Sequence, residues 1–247
     1  MIWIVIAAIT FAAGIVHSVI GFGFGIVALA CLPFIMDAKA AHVMMSMCSL
    51  PMLLSAAWAY RDGIDWRSLR PAMIGAAFMM PAGLYCFVSM PLDLLVRGTG
   101  LAILLMTLNG LRKKPSVESE AETESEHLSL ASFAAGAISG LLGGAVSIAG
   151  PPIASFALNQ GWRPDRFKAF LTQCLLVVCF YKVAGLGYSN LITQTTLVHA
   201  LWGTPFAIAG IRVGVALSKH IDAKEFQVIV SIALIGVSCW FMFRGQP

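Results

Sequence analysis

Charge is scarce in this chain: Asp, Glu, Lys and Arg make up 11% of its 247 residues, about half of what a soluble domain carries. So few charges cannot clothe an ordinary water-facing surface, and most soluble folds are excluded. Acidic residues are absent from the centre of every apolar run, so neither a sodium site nor a carboxylate proton relay has support. Metal-type spacings are missing too. The six cysteines all lie inside apolar runs, none as Cys-x-x-Cys, and thiols so placed behave as small apolar groups. The five histidines, at 17, 42, 127, 199 and 220, show no pairing suited to haem or zinc. No cofactor, no metal and no enzymatic chemistry are expected. The string GFGFG, Gly21 to Gly25, lacks the strand–turn–helix context of a dinucleotide site. A basic n-region of the cleavable-signal type is also missing at the start, so the first apolar run reads as a membrane element.

What is present is apolar length. Hydrophobic residues make up 59% of the chain, and several runs reach the roughly 20 residues that a helix needs to cross a bilayer. Backbone groups in hydrocarbon must pair internally, which leaves helices or a closed barrel. The runs are apolar all round, without period-two alternation, so the fold class is an all-α integral membrane protein. The net charge of +4 gathers at segment ends, where it reports topology; it does not indicate a nucleic-acid partner.

Helices are expected at about Ala40–Tyr60, Leu69–Ser89, Leu92–Leu111, Phe167–Leu186, Thr193–Leu217 and Ala223–Phe243, with longer apolar elements at Ile2–Met36 and Leu128–Leu158. Between Arg112 and His127 lie Lys113, Lys114 and five glutamates at alternate positions from Glu118 to Glu126. That composition is the one of a solvated linker. The chain therefore divides into a first membrane repeat (1–111), an acidic linker (112–127) and a second membrane repeat (128–247). Phe11-Ala12-Ala13-Gly14 recurs 122 residues later as Phe133-Ala134-Ala135-Gly136, which pairs His17 with Ser139. Ala82-Gly83 recurs 127 residues later as Ala209-Gly210.

The first element of each half is interrupted, by GFGFG in one and by GGAVSIAGPP, Gly143 to Pro152, in the other. Glycine ends a helix by entropy and proline by removing an amide donor. In the second half the expected arms, Ser129–Leu142 and Pro151–Leu158, would rise about 21 Å and 12 Å, each short of a full crossing. Each interrupted element is then either a re-entrant hairpin or one broken crossing. Hairpins put Arg61, Arg67, Arg70, Arg112, Arg163, Arg166 and Lys168 on one face, and crossings abolish that bias. Under the positive-inside rule the hairpin model makes the linker cytoplasmic and the termini external, with three full crossings per half. An odd number inverts the second half. Eight full crossings, one per run, is the alternative, and the first arm, Ile2–Ile20, is long enough to cross.

Inverted repeats with interrupted helices recur among secondary transporters. A helix start leaves amides unpaired at the positive end of its dipole, which makes it a ready anion site. The candidate substrate-binding residues are Gly21, Gly23, Gly25, Gly143, Gly144, Ser147 and Gly150, with Ser46, Thr172 and Gln173 facing them from neighbouring helices; Ser49 is weighed beside Ser46. His17 and Lys182 are candidates for a proton or anion pathway, because ionisable groups inside membranes are functional by default; Lys182 is expected near a membrane face, at the outer mouth, where long side chains snorkel. Against this stand tight helix packing for the glycines and self-bonding for the hydroxyls.

The run GIVHSVIGFGFGIVALACLPFIM, Gly14 to Met36, and the run GAISGLLGGAVSIAGPPIASFAL, Gly136 to Leu158, resemble the paired signatures of the TauE/SafE sulfite exporter family. The resemblance extends over nearly the whole chain, with one departure: the usual run of consecutive glycines is here Gly143-Gly144-Ala145. It implies a proton- or gradient-coupled carrier that moves sulfite or organosulfur anions across the cell membrane. The expected partners are thus a small anionic substrate, the lipid bilayer and a second copy in a homodimer. A reading from another class, a non-transporting membrane subunit or assembly factor, gives no reason for two matched interruptions.

Overall fold

The computed structural model describes residues 2–89, 101, 123–146, 148–218, 220 and 222–244. Among these there are nine α-helices and no strand: α1 (Ile2–Ile20), α2 (Phe24–Cys31), α3 (Ala38–Ala59), α4 (Trp66–Ser89), α5 (Thr123–Val146), α6 (Gly150–Asn159), α7 (Pro164–Tyr188), α8 (Gln194–Ser218) and α9 (Ala223–Arg244). The expected helix at Leu92–Leu111 lies outside the described residues, apart from Leu101. Five helices are long and apolar enough to cross a bilayer, and the chain is an all-α membrane protein.

Local chemistry sets the boundaries. The Asp37 carboxylate caps α3 by accepting from the amides of Lys39 and Ala40 at 2.9 and 3.2 Å, and Pro164 opens α7 where no amide donor is needed. Gly21 (φ 92°) and Gly23 (φ 109°) adopt the left-handed conformation that turns α1 into α2. The second interruption falls later than expected. Helix α5 runs through Gly143 and Gly144 to Val146, and at 24 residues it rises about 36 Å, longer than the 21 Å expected from sequence. Those glycines do not end the helix, because neighbouring helices press on them. A Cβ on Gly144 would fall 2.7 Å from Leu84 N and 2.8 Å from Met80 O. Helix α5 also begins at Thr123, inside the stretch read as linker.

Directions follow from the contacts. Ser18, near the end of α1, bonds Tyr60 just past the end of α3, Oγ to Oη 2.8 Å, and Gly203 of α8 sits against both Thr10 and Cys48. Helices α1, α3 and α8 therefore run one way. Cys179 of α7 reaches the Ser46 carbonyl near the start of α3, while Gly63, just past α3, presses on Asp165 at the start of α7. Helix α7 thus opposes α3. Asp65 beside Arg166 and Leu84 beside Gly185 align α4 with α7, and Ala72 beside Gly136 with Gly83 beside Leu141 aligns α5 with α4. The short helices α2 and α6 pack against α1 and α5.

The most extensive packing joins α4 to α5 and α1 to α8, where glycines bring backbones together. Ends and starts recur at one spacing: Ile20 and Val146, Phe24 and Gly150, Ala38 and Pro164 each lie 126 residues apart. The FAAG match at 122 is therefore displaced by about one helical turn, and by the structural spacing His17 corresponds to Gly143 rather than Ser139. The match of Gly83 with Gly210 fares better, since they pack on Leu141 and Ile15, themselves 126 apart. Trp58, Trp66, Arg61, Arg70, Arg163 and Arg166 gather at one end of the bundle, with ring–guanidinium contacts such as Arg61 over Trp58 at 4.4 Å. Trp3 and Trp202 meet at the other, as in an aromatic belt. Large apolar side chains such as Ile4 (75% exposed) and Phe78 (72%) point outward, suited to lipid.

Candidate functional site

The two interruptions meet in the middle of the bundle. Phe22, held between Gly21 and Gly23 and almost fully buried, lies against Gly150, where a Cβ would fall 2.6 Å from the phenylalanine Cβ. Beside this contact is a cavity of about 80 Å³. It is several times what one water requires and well below the roughly 300–1,000 Å³ of drug-sized sites. It suits a small ion.

Four elements form its walls: the first interruption (Phe22 to Ile26), α3 (Met45, Ser46, Ser49, Met52), the second interruption (Ile148 to Pro151) and α7 (Leu175, Val178, Cys179, Lys182). Of the residues expected from sequence, Gly23, Gly25, Ser46, Gly143, Gly150, His17 and Lys182 come together here. Gly21 does not line the cavity; it packs on Phe167 and Leu171. Gly144 faces α4. Thr172 is buried with Oγ1 lacking a partner, and Gln173 is partly buried; neither lines the cavity. Ser147 lies outside the described residues.

The donors available in the cavity differ from those expected. The hydroxyls of Ser46 and Ser49 donate to the carbonyls of His42 and Met45 on their own helix, each at 2.8 Å, so their protons are already engaged. Backbone supplies more. Helix α2 starts after Gly23, and Val27 is the first residue whose amide bonds back, to the Gly23 carbonyl at 3.0 Å. The amides of Phe24, Gly25 and Ile26 are the unpaired first turn of that helix, and all three residues line the cavity. Helix α6 opens Gly150-Pro151-Pro152, and two of those residues have no amide proton.

Side-chain charge in and around the cavity is of one sign. Among the described residues the buried Asp, Glu, His, Lys and Arg side chains are His17, His42, Lys168 and Lys182, all basic. His17 lines the cavity, is 3% exposed, and its Nε2 has no hydrogen-bond partner. Lys182 lines it from α7, 6% exposed, close enough to His42 to act on it electrostatically. Sequence reading assigned Lys182 to an outer mouth, where a long side chain snorkels; the structure buries it. It also read Lys168 as one of a cluster of face charges, whereas Lys168 is buried beside His17. The available signal was its position 126 residues after His42. Buried charge is costly, and an anion in a cavity lined by Lys182 and by the first turn of a helix would offset part of that cost. Among the described residues no cluster of His, Cys, Asp and Glu could hold a metal.

Residues 6–241 match the family model described as sulfite exporter TauE/SafE. No curated protein and no solved structure matches the chain.

Proposed function

The chain belongs to the sulfite exporter TauE/SafE family, a family of membrane transporters, and from that premise we propose that it carries a small oxyanion, sulfite or an organosulfur anion, through the central cavity. The observation that carries this reading is the make-up of one small cavity: His17 and Lys182 line it, no acidic side chain among the described residues does, and a helix start brings three residues with free amides to it. The amides of Phe24, Gly25 and Ile26 bind oxygen atoms of the anion, and Lys182 supplies the counter-charge from the facing wall. Ser46 and Ser49 shape the cavity rather than donate to the ligand.

Alternating access has a basis in the packing. Helices α1, α3 and α8 run against α5, α7 and α4, which supports two inverted repeats hinged about the cavity. The α1–α2 and α5–α6 elements then act as re-entrant hairpins. The arginine cluster at one end of the bundle supports a cytoplasmic location for that end and for the acidic linker.

The test is flux of radiolabelled sulfite in vesicles containing this chain alone, paired with anion-dependent thermal stabilisation of the purified protein. Sulfite, sulfate, thiosulfate and small sulfonates are compared with parent and Lys182→Met. The parent should move and be stabilised by at least one sulfur oxyanion, and Lys182→Met should lose both responses while remaining folded. A folded parent indifferent to every anion would remove the reading. It would also return the non-transporting subunit to consideration.

A further inference from the structure

The four buried basic residues form two pairs at different depths. His42 near the start of α3 lies by Lys182 near the end of α7, and His17 near the end of α1 lies by Lys168 near the start of α7. On one helix, Lys168 and Lys182 stand about 21 Å apart, with the cavity between. Only the Lys182 pair has its lysine in the cavity wall. Lys168 lies beyond His17, toward the end of the bundle that carries Arg61, Asp65 and Arg166.

Lys168 has an unusual setting. It is 3% exposed and makes no ion pair or hydrogen bond among the described residues. Its ammonium stands 5.6 Å from the Tyr60 ring centroid and 5.3 Å from that of Phe226. The rings offer quadrupole attraction but no counter-charge. Asp165, one turn earlier on the same helix, acts on it only at a distance, and the Tyr60 hydroxyl is engaged with Ser18 at 2.8 Å. Ser18 is the chain neighbour of His17, whose Nε2 is buried and unpartnered. The spacing of 126 residues puts Lys168 in register with His42, so each end of the cavity carries a basic residue at the same position of its half, backed by a second one.

We propose that Lys168 and His17 form a second anion site, separate from the central cavity, which takes the same class of small oxyanion at the arginine-rich end of the path. His17 belongs to both, lining the cavity on one side and facing Lys168 on the other, and hands the anion from one to the other. This rests on the anion-carrier reading above, and the two can fail separately.

The experiment is equilibrium dialysis of the full chain in detergent against radiolabelled sulfite at low ionic strength, without oxygen. The parent should bind two anions per chain at saturation. Lys168→Met should bind one, held by the Lys182 end, and Lys182→Met should bind one, held by the Lys168 end. Lys168→Gln serves if the methionine variant does not fold, since it keeps a polar tip without charge. A parent that binds a single anion, unaffected by either Lys168 variant and lost with Lys182→Met, overturns the second site and leaves the central one standing. A single anion lost with both lysine variants also overturns it, because the two groups would then serve one site. A parent that binds none removes the carrier reading and this site with it.

Discussion

The two interruptions face each other across one cavity, yet they offer an anion different chemistry. At the first, left-handed glycines turn the chain sharply and the new helix begins with three residues that keep their amides, Phe24, Gly25 and Ile26. At the second, Ala149 stays in the right-handed region (φ −89°) and the helix begins Gly-Pro-Pro. The Ser139 hydroxyl donates to the Ala149 carbonyl at 2.6 Å and so ties the turn to α5. One interruption is built to donate, the other to stay fixed. Halves that pack alike therefore differ where they meet at the cavity, and a binding site inferred by symmetry would assign donors to Pro151 and Pro152 that they do not have.

The largest effect that sharpens this contrast concerns Gly144, which sequence reading placed among the ligand contacts. Gly144→Leu should abolish folded protein altogether, because its side chain would enter the backbone of α4 at Met80, Gly83 and Leu84. Size-exclusion profile and yield from membranes measure this. A well-folded Gly144→Leu that had lost only anion binding would move the residue back into the site.

A reciprocal pair of substitutions aims at the contrast itself. Ile26→Pro, preceded by glycine as Pro151 is, removes one amide from the first interruption. It should weaken anion binding by about ten- to a hundredfold, the weight of a hydrogen bond to a charged group, about 1.5–3 kcal/mol. Pro151→Ala adds an amide at the second interruption and should raise affinity by a few-fold, up to about tenfold. Titrations followed by thermal shift read both. Unchanged affinity in a folded Ile26→Pro protein would break the contrast between the two interruptions.

The smallest effect lies at the arginine-rich end. Burial pushes the Asp65 carboxyl upward, but the Ser68 hydroxyl, the Arg67 amide and the Arg166 guanidinium together hold it below the ordinary carboxylate range. Arg166 in turn lies over the Trp162 ring at 4.3 Å. The register-equivalent positions in the other half are Ala40 and Leu191, which form no such pair. A carboxyl lowered in the folded state stabilises above its unfolded value, and that contribution fades as pH falls through the lower folded value. Asp65→Asn should thus melt slightly below the parent at neutral pH and converge with it in acid below about pH 4. The difference is small because the pair is partly exposed. Melting curves that stay parallel from pH 7 to pH 3 would remove Asp65 from this role.

Much of the fold was legible because its causes are local or compositional. Apolar length and the spacing of arginines act along whole segments, and they brought α3, α4, α7, α8 and α9 out within a few residues of their ends. The second interruption was misplaced because Gly143-Gly144 reads the same whether glycine ends a helix or lets another helix approach, and only α4 decides between them. The repeat was matched one turn off for a related reason. Small residues a turn apart occupy one helix face, so FAAG at a spacing of 122 satisfies the same packing demand as the structural spacing of 126. For the cavity, the glycine strings are the two interruptions that line it. Lys168 was hidden because a lysine four residues into a helix looks like a face charge until Tyr60 and Phe226 close over it.

The glycine contacts between α1 and α8 also set a timetable for the chain's manufacture. Gly14 packs on Ala207 and Gly210, which leave the ribosome roughly 190 residues later, about 10–40 s at ordinary synthesis rates. The pairs between α4 and α5 are only about 60 residues apart and can form first. During that interval α1 sits in the bilayer with its small-residue face open, long after the helices beside it have docked. A chain truncated before α8 keeps that face open permanently, so the last third of the sequence decides whether the small-residue face of the first helix is ever covered.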